Sequence, residues 1–247
     1  MTRSTFRITS LPILISLLIF SHFDTLHAQM FTVTDQTDRD RAQFFYRSLQ
    51  IGWDIAEFTY TGDPEVAGQD RFDFRDPVLR LYFENPGIDM YLGIGGGITG
   101  MDDGSYINLG GLLYNNFILS RSDSYRLLLP LLINTDLTVA NTDAASTQFR
   151  QTAFQIGSGL GSRLIFSDRT SARLQFTPAI GFSTAQGAFF GGTIYSLLGK
   201  ARIHFDELFG SRGLLLGYDF RHSSYSIDVE LFDYDYQGHS FSIGITF

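Results

Sequence analysis

The sequence predicts an all-β protein, a single antiparallel up-and-down transmembrane β-barrel of about ten strands, with eight as the rival count if two segments merge. Three observations predict it. From residue 48 to residue 247, apolar residues alternate with polar residues and glycines, so each segment has one apolar and one polar face. Beyond the amino terminus no stretch approaches the run of about 18 apolar residues that a membrane helix needs, so such a chain can cross lipid only by closing its strands into a ring. The connections also alternate between short and long, as they do when each end of a barrel carries its own kind of turn. A soluble β-sandwich would explain alternation, but not an apolar face on every strand.

The 247 residues leave room for one domain, and aromatics reach 15%, with 24 Phe, 12 Tyr and 25 Gly, a composition suited to strands in or beside a membrane. There is no Cys, which excludes disulfides, thiolate metal sites, a Cys nucleophile and a cysteine-linked lipid anchor. The net charge of −8 sets the chain against the polyanionic backbone of nucleic acid, and no nucleic-acid partner is expected.

Residues 1–28 read as a signal peptide. Arg3 and Arg7 give the positive start, 8–20 is an apolar run of signal-core length, and Leu26-His27-Ala28 offers a cleavage site that leaves Gln29 first. A short amino-terminal anchor helix is the alternative. Residues 29–47, with Asp35, Asp38, Arg39, Asp40 and Arg41, lack strand alternation and are expected to form a periplasmic lead-in with a helical turn near 42–46. The barrel is then assigned to 48–247.

Strand one, 48–60, sets Leu49, Ile51, Trp53 and Ile55 against Gln50, Gly52 and Asp54. Strand two, 72–84, sets Leu79, Leu81 and Phe83 against Arg80, Tyr82 and Glu84. Phe72 and Phe74 are on the wrong parity for that apolar face, so a bulge at Asp76-Pro77 is expected to restore it. Asn85-Pro86-Gly87 is a tight turn. Strand three, 90–98, carries Met90, Leu92, Ile94 and Ile98 opposite glycines. Strand four, 106–119, shows Ile107, Leu109, Leu113, Phe117 and Leu119 on one side. Strand five, 125–139, sets Leu127, Leu129, Leu131, Ile133, Leu137 and Val139 against Asn134, Asp136 and Thr138. Strand six, 149–166, sets Phe154, Ile156, Leu160, Leu164 and Phe166 against Gln155, Arg163 and three glycines. Strand seven, 171–184, sets Leu174, Phe176, Ile180 and Phe182 against Arg173, Gln175 and Thr177. Strand eight, 192–205, sets Tyr195, Leu197, Ile203 and Phe205 against Ser196, Lys200, Arg202 and His204, and a turn is expected at 207–212. Strand nine, 213–225, sets Leu214, Leu216, Tyr218 and Phe220 against Gly217, Asp219 and Arg221.

The polar faces thus carry both signs of charge: Asp54, Arg80, Glu84, Asp136, Arg163, Arg173, Lys200, Arg202, Asp219 and Arg221. A barrel of about ten strands is narrow. The favoured expectation is an interior salt-bridge network that packs the lumen; a narrow small-solute pore is the alternative. Placing one of these Arg or Lys residues in mid-bilayer would cost roughly 2–4 kcal/mol, so the register is pinned with charges inward.

The tenth strand closes the pattern. Phe241, Ile243, Ile245 and Phe247 share one face, and Ser240, Ser242, Gly244 and Thr246 share the other. On this carboxyl-terminal aromatic strand the chain resembles the bacterial outer-membrane β-barrel proteins. The resemblance implies location in the outer membrane of a Gram-negative envelope after signal-peptide cleavage, contact with outer-membrane lipid and lipopolysaccharide, and recognition of the last strand by the barrel assembly machinery. It names no activity and no other protein partner.

Candidate chemistry is sparse. Continuing the strand-nine register puts His222 and Ser224 side by side on the lipid-facing side near the outer rim, where an imidazole could take a hydroxyl proton. At this His-x-Ser pair the chain resembles the outer-membrane lipid A 3-O-deacylases. The resemblance implies His222 as base, Ser224 as nucleophile and Glu230 as the carboxylate that orients the histidine, acting on an acyl ester of lipid A. Three features depart from that family: Tyr225 stands where an Asn usually follows the Ser, Glu230 lies too close in sequence, and about ten strands exceed its eight. Ten strands also resemble the outer-membrane aspartyl-type proteases, but Asp102-Asp103 are adjacent rather than facing, and no Asp-x-His occurs. His204 is expected in the lumen among basic residues, and His239 near the top of the last strand. The acidic run of Asp228, Glu230, Asp233 and Asp235 is read as a solvated loop rather than a Ca²⁺ or Mg²⁺ site. No phosphate loop, zinc motif or nucleotide fingerprint is present, so no cofactor or metal is expected. The leading expectation is therefore a non-enzymatic outer-membrane barrel with a structural or surface-interaction role. A lipid A acyl-ester hydrolase using His222, Ser224 and Glu230 is the competing one, and a narrow pore the third.

Overall fold

A computed structural model describes residues 47–62, 73–101, 104–142, 149–185, 191–227 and 233–247. The chain divides into two units, Met1–Arg41 and Ala42–Phe247, and every described residue belongs to the second. The expected signal peptide and the lead-in up to residue 46 lie outside the described residues.

Among the described residues eleven strands form one antiparallel sheet: β1 (Ser48–Tyr60), β2 (Phe74–Asn85), β3 (Ile88–Gly95), β4 (Gly104–Arg121), β5 (Tyr125–Thr142), β6 (Phe149–Ser158), β7 (Leu160–Ser167), β8 (Thr170–Ala185), β9 (Gly192–Phe209), β10 (Arg212–Ile227) and β11 (Tyr234–Thr246). First and last strands pair along their length, from Ser48 opposite Thr246 to Tyr60 opposite Tyr234, and β4 pairs with β5, so the sheet closes.

β6 and β7 both lie between β5 and β8 and keep one register with each, Leu131 facing Ser158 and Leu128 facing Gly161 on one flank, Ala179 facing Gly157 and Phe176 facing Leu160 on the other. They are two halves of one stave, so the barrel has ten. Two prolines explain the break. Backbone groups of consecutive residues point to opposite neighbours, so Gly159 addresses β5 and Ser158 addresses β8. Each meets a residue that has no N–H to give, Pro130 on β5 and Pro178 on β8. The Gly159 N–H still donates to the Pro130 carbonyl at 3.3 Å. A Cβ on Gly159 would run into the Phe176 carbonyl oxygen, so the chain can pass here only as glycine.

Four short turns lie at one end: Pro86-Gly87, 122–124, Asp168-Arg169 and Gly210-Ser211, with Gly87 and Gly210 at φ +80 and +69. Three expectations need correction. β2 pairs with β1 without a register shift, so there is no bulge at Asp76-Pro77. Pro77 lies beyond the first β2–β3 pair, Leu79–Ile94, where that flank has no ladder for it to interrupt. The third strand stops at Gly95, and Ile98 stands in the following turn, 94% exposed; there the Gly96 N–H is bound by the Thr99 hydroxyl. The turn expected at 207–212 shrinks because β9 continues to Phe209, with Glu207 at φ 56 and a bulge against β10 between Arg212 and Leu214.

The inward row of cross-strand partners fixes the geometry. Starting at Arg126 it passes Arg163, Arg173, Arg202, Gly217, Ser242, Gly52, Arg80, Gly93 and Asn108, and it re-enters β5 at Thr138, twelve residues further along. Ten staves with that stagger tilt by about 40° and enclose a backbone radius of about 10 Å. The outer wall carries the apolar faces, with Leu49, Trp53, Leu113, Ile133, Ile156, Phe176 and Phe241 all exposed. On β5 this face runs from Leu127 to Val139, about 40 Å of strand and about 30 Å of height, enough to cover the apolar band of about 25 Å in such barrels.

Gly159→Ala is expected to lower the unfolding temperature of the barrel in detergent, followed as the mobility shift between unboiled and boiled protein, by an amount equivalent to about 1–3 kcal/mol. Gly97→Ala, which meets open space, should leave it unchanged. Equal effects of the two would contradict the close approach.

Candidate functional site

The inward side chains fill the lumen in layers. Arg80 on β2 anchors the middle. Its Nε donates to Asp54 Oδ2 at 2.6 Å, Nη1 to Asn108 Oδ1 at 2.5 Å and Nη2 to Tyr236 Oη at 2.7 Å. Across the lumen, Arg221 on β10 reaches Asp136 on β5 at 2.6 Å, and Tyr91 from β3 donates to the same carboxylate. Lower down, Lys200 and Arg202 on β9 reach Glu84 on β2 at 3.0 and 2.7 Å. Lys200 also takes Asp89 on β3 at 2.5 Å, and Arg202 takes Asp219 at 2.9 Å. Glu84 is four staves from β9 around the ring and Asp89 five, so these ion pairs span the lumen.

Above this charged layer sits an aromatic one. Phe58, Phe149, Tyr225, Tyr234 and Tyr236 are each 3% exposed or less. Phe58 meets Phe149 at 5.2 Å and Tyr236 at 5.0 Å, and Phe149 meets Tyr234 at 5.4 Å, all edge to face. These rings come from β1, β6, β10 and β11 and lie inside the barrel towards the end opposite the short turns. Within the charged layer lies a cavity of about 100 Å³, lined among others by Asp54, Glu84, Tyr114, Arg173 and Lys200.

All ten charged residues assigned to the polar faces lie on the inward side, and Asp54, Arg80, Glu84, Asp136, Lys200, Arg202, Asp219 and Arg221 form ion pairs there. His204 is inward and 5% exposed. Sequence reading missed Asp89, Arg126 and the aromatic layer. The signal was present: Phe58 has the parity of Gly52 and Asp54, and Tyr234 and Tyr236 have the parity of Ser240.

On the outer wall, His222 and Ser224 share the outward side of β10, just above Phe220. No hydrogen bond joins them to each other or to a third side chain among the described residues. Glu230 lies outside the described residues, as do Asp228 and the Asp102-Asp103 pair. Among the described residues the carboxylate opposite Ser224 is Asp235, its direct partner on β11, and one Asp235 oxygen is buried without a hydrogen bond. Gln237 stands opposite His222. His239 is held between Tyr218 Oη and Gln237 Nε2, both at 2.8 Å. Among the described residues no group of three or more His, Asp or Glu could hold a metal ion.

No family model and no curated protein sequence matches the chain. Among solved structures it is similar to the outer membrane protease OmpT from Escherichia coli, at 9% identity and a TM-score of 0.41, over 82% of this chain and 98% of that one. It is also similar to Ail, the attachment invasion locus protein of Yersinia pestis, at 12% identity and 0.26, over 82% and 97%. A third is OmpT of Vibrio cholerae, at 11% and 0.27, over 82% and 96%. At these values the likeness gives no residue of this chain a role.

Arg80→Gln strands the Asp54 carboxylate, itself 1% exposed. It is expected to cost about 3–5 kcal/mol in urea unfolding from detergent micelles. The double variant with Asp54→Asn should recover a large part of that loss. Additive losses would show that the two side chains do not act as a pair.

Proposed function

We propose that this chain is an integral protein of the bacterial outer membrane with a closed, packed lumen, acting through its surface or as a structural element of the membrane rather than as a channel. The observation that carries the reading is the filling of the lumen by a charged layer and an aromatic layer, inside a wall whose outer face is apolar on every stave. The signal peptide at 1–28 would deliver the chain, and the strand ending at Phe247 would present it to the assembly machinery. Its outward face would meet lipid and, on the side of the long connections, lipopolysaccharide.

A second reading is a lipid A acyl-ester hydrolase. It is favoured by the placing of His222 and Ser224 on the outward face above the apolar band, with Asp235 opposite Ser224. Ser224 would attack the ester carbonyl as His222 takes its proton; His222 would return that proton to the leaving alcohol as the ester C–O bond breaks, and water would then release the acyl group from Ser224. Asp235, or Glu230, would orient the imidazole.

Folded protein in planar bilayers is expected to give no conductance steps above background; discrete steps would overturn the closed lumen. Lipid A mass spectrometry separates the two readings. Cells carrying the protein, His222→Ala, Ser224→Ala or no copy should show the same acyl pattern. A missing acyl chain that requires both residues would make the protein the hydrolase.

A further inference from the structure

On one side of the barrel the apolar outer band stops short. The rows of cross-strand partners climb twelve residues in ten staves, and a strand tilted by about 40° rises about 2.5 Å per residue, which sets the height of each side chain. His222 on β10 and His239 on β11 stand within about 3 Å of the height of Ile55, Leu79, Leu109, Phe154 and Ile180. One row higher, Ser224 and Gln237 are level with Ile107, Leu137 and Phe182. Those residues face out and are apolar, whereas β10 and β11 have already turned polar above Phe220 and Phe241. On β5, Thr135 brings a hydroxyl to this level, set between Ile133 and Leu137. The notch on β10 and β11 is two staves wide.

A polar side chain that faces hydrocarbon is costly unless its hydrogen bonds are met. His239 meets its own. With the Gln237 amide donating to Nε2 at 2.8 Å, the ring proton sits on Nδ1 and donates to Tyr218 Oη at 2.8 Å. Among the described residues the Tyr218 O–H, the Ser224 O–H and the His222 ring N–H then have no acceptor. Gln237 Oε1 and one buried Asp235 oxygen have no donor there. Unmet donors and unmet acceptors thus share one face. Acyl chains answer neither, and lipid ester oxygens only accept. A second copy of the same face answers both.

We propose that this notch is the contact between two copies of the chain in the membrane, related by a two-fold axis along the membrane normal. Such an axis sets equal heights against each other. It places His222 of each copy beside His239 of the other, and Ser224 beside Gln237 and Asp235. Below the notch Phe241, 66% exposed, and Trp53, 48% exposed, line a shallow groove with Ile51 and Ile243 that adds apolar contact. The contact rests on the chain spanning a membrane, as proposed above, and not on a closed lumen or on hydrolysis.

The test uses the full folded chain in phosphatidylcholine vesicles. The chain has no Cys, so one introduced thiol reports on one place. Ser226→Cys lies at the rim of the notch on the outward side of β10, and Thr135→Cys lies five staves from β11 on the far side of the ring. A short bismaleimide is expected to link Ser226→Cys into a dimer and to leave Thr135→Cys monomeric. Adding His222→Leu and Gln237→Leu, which continue the apolar wall, should weaken association at least about tenfold, read by energy transfer between labelled thiols against the protein-to-lipid ratio. The mobility shift on boiling should be kept; if that variant does not fold, Ser224→Leu carries the test. Equal linking of the two thiols, undiminished association of the apolar variant, or a monomer whose notch is left to lipid would overturn the contact. Flotation with the vesicles is scored separately. Protein that floats and stays monomeric removes the contact alone, whereas protein that does not enter the bilayer removes the membrane reading with it.

Discussion

Everything in this molecule depends on the width of its closed ring. Ten staves staggered by twelve residues leave a backbone radius of about 10 Å. A Lys, Arg or Tyr projecting inward from one wall therefore reaches groups from the far wall. Such a side chain is costly to place without a partner, because an unmatched polar group in that space costs as much as several good contacts supply. The pairs Lys200–Asp89, Arg202–Glu84 and Arg221–Asp136 answer this constraint across the lumen. Arg80, bound to Asp54, Asn108 and Tyr236, answers it in the middle.

The same constraint explains the layering. Where the strands emerge towards the long connections, the inward parity carries Phe58, Phe149, Tyr225, Tyr234 and Tyr236 instead of charges. Rings pack edge to face and need few polar partners, so this end of the interior is held by apolar contact. At the other end the inward parity carries Arg126, Arg163, Arg173 and His204. The lumen therefore changes from basic, through mixed charge, to aromatic along its axis. The wall tolerates its own irregularities by the same local accounting of backbone groups: Pro130 and Pro178 each remove one donor at the same level, and Gly159 lets the interrupted stave pass close to Phe176.

A lumen filled in this way directs attention to the outer surface and the two ends. The outward face of β10 and β11 changes above Phe220 and Phe241 from apolar to polar, with His222, Ser224, Asp235, Gln237 and His239. Tyr218 and Gln237 already hold His239, whereas His222 and Ser224 stand free of such ties among the described residues. That difference separates a histidine serving the wall from one exposed to whatever lies against it.

The sequence by itself determined the class of fold and the direction of nearly every side chain, because a period of two residues admits only two registers and an apolar outer face selects one of them. The charged set from Asp54 to Arg221 was legible on that ground alone. Only the tertiary structure decided which charges meet. Glu84 and Lys200 are far apart in the chain, and their contact depends on the stagger of the whole ring, which no local pattern encodes. Tertiary structure also decided that Asp235 stands opposite Ser224, that β2 runs past Pro77 without a bulge, and that three arginines from separate segments share one row. The physical reason is common to all of these. Alternation fixes the face on which a residue lies, whereas its neighbours on that face are set by ring closure.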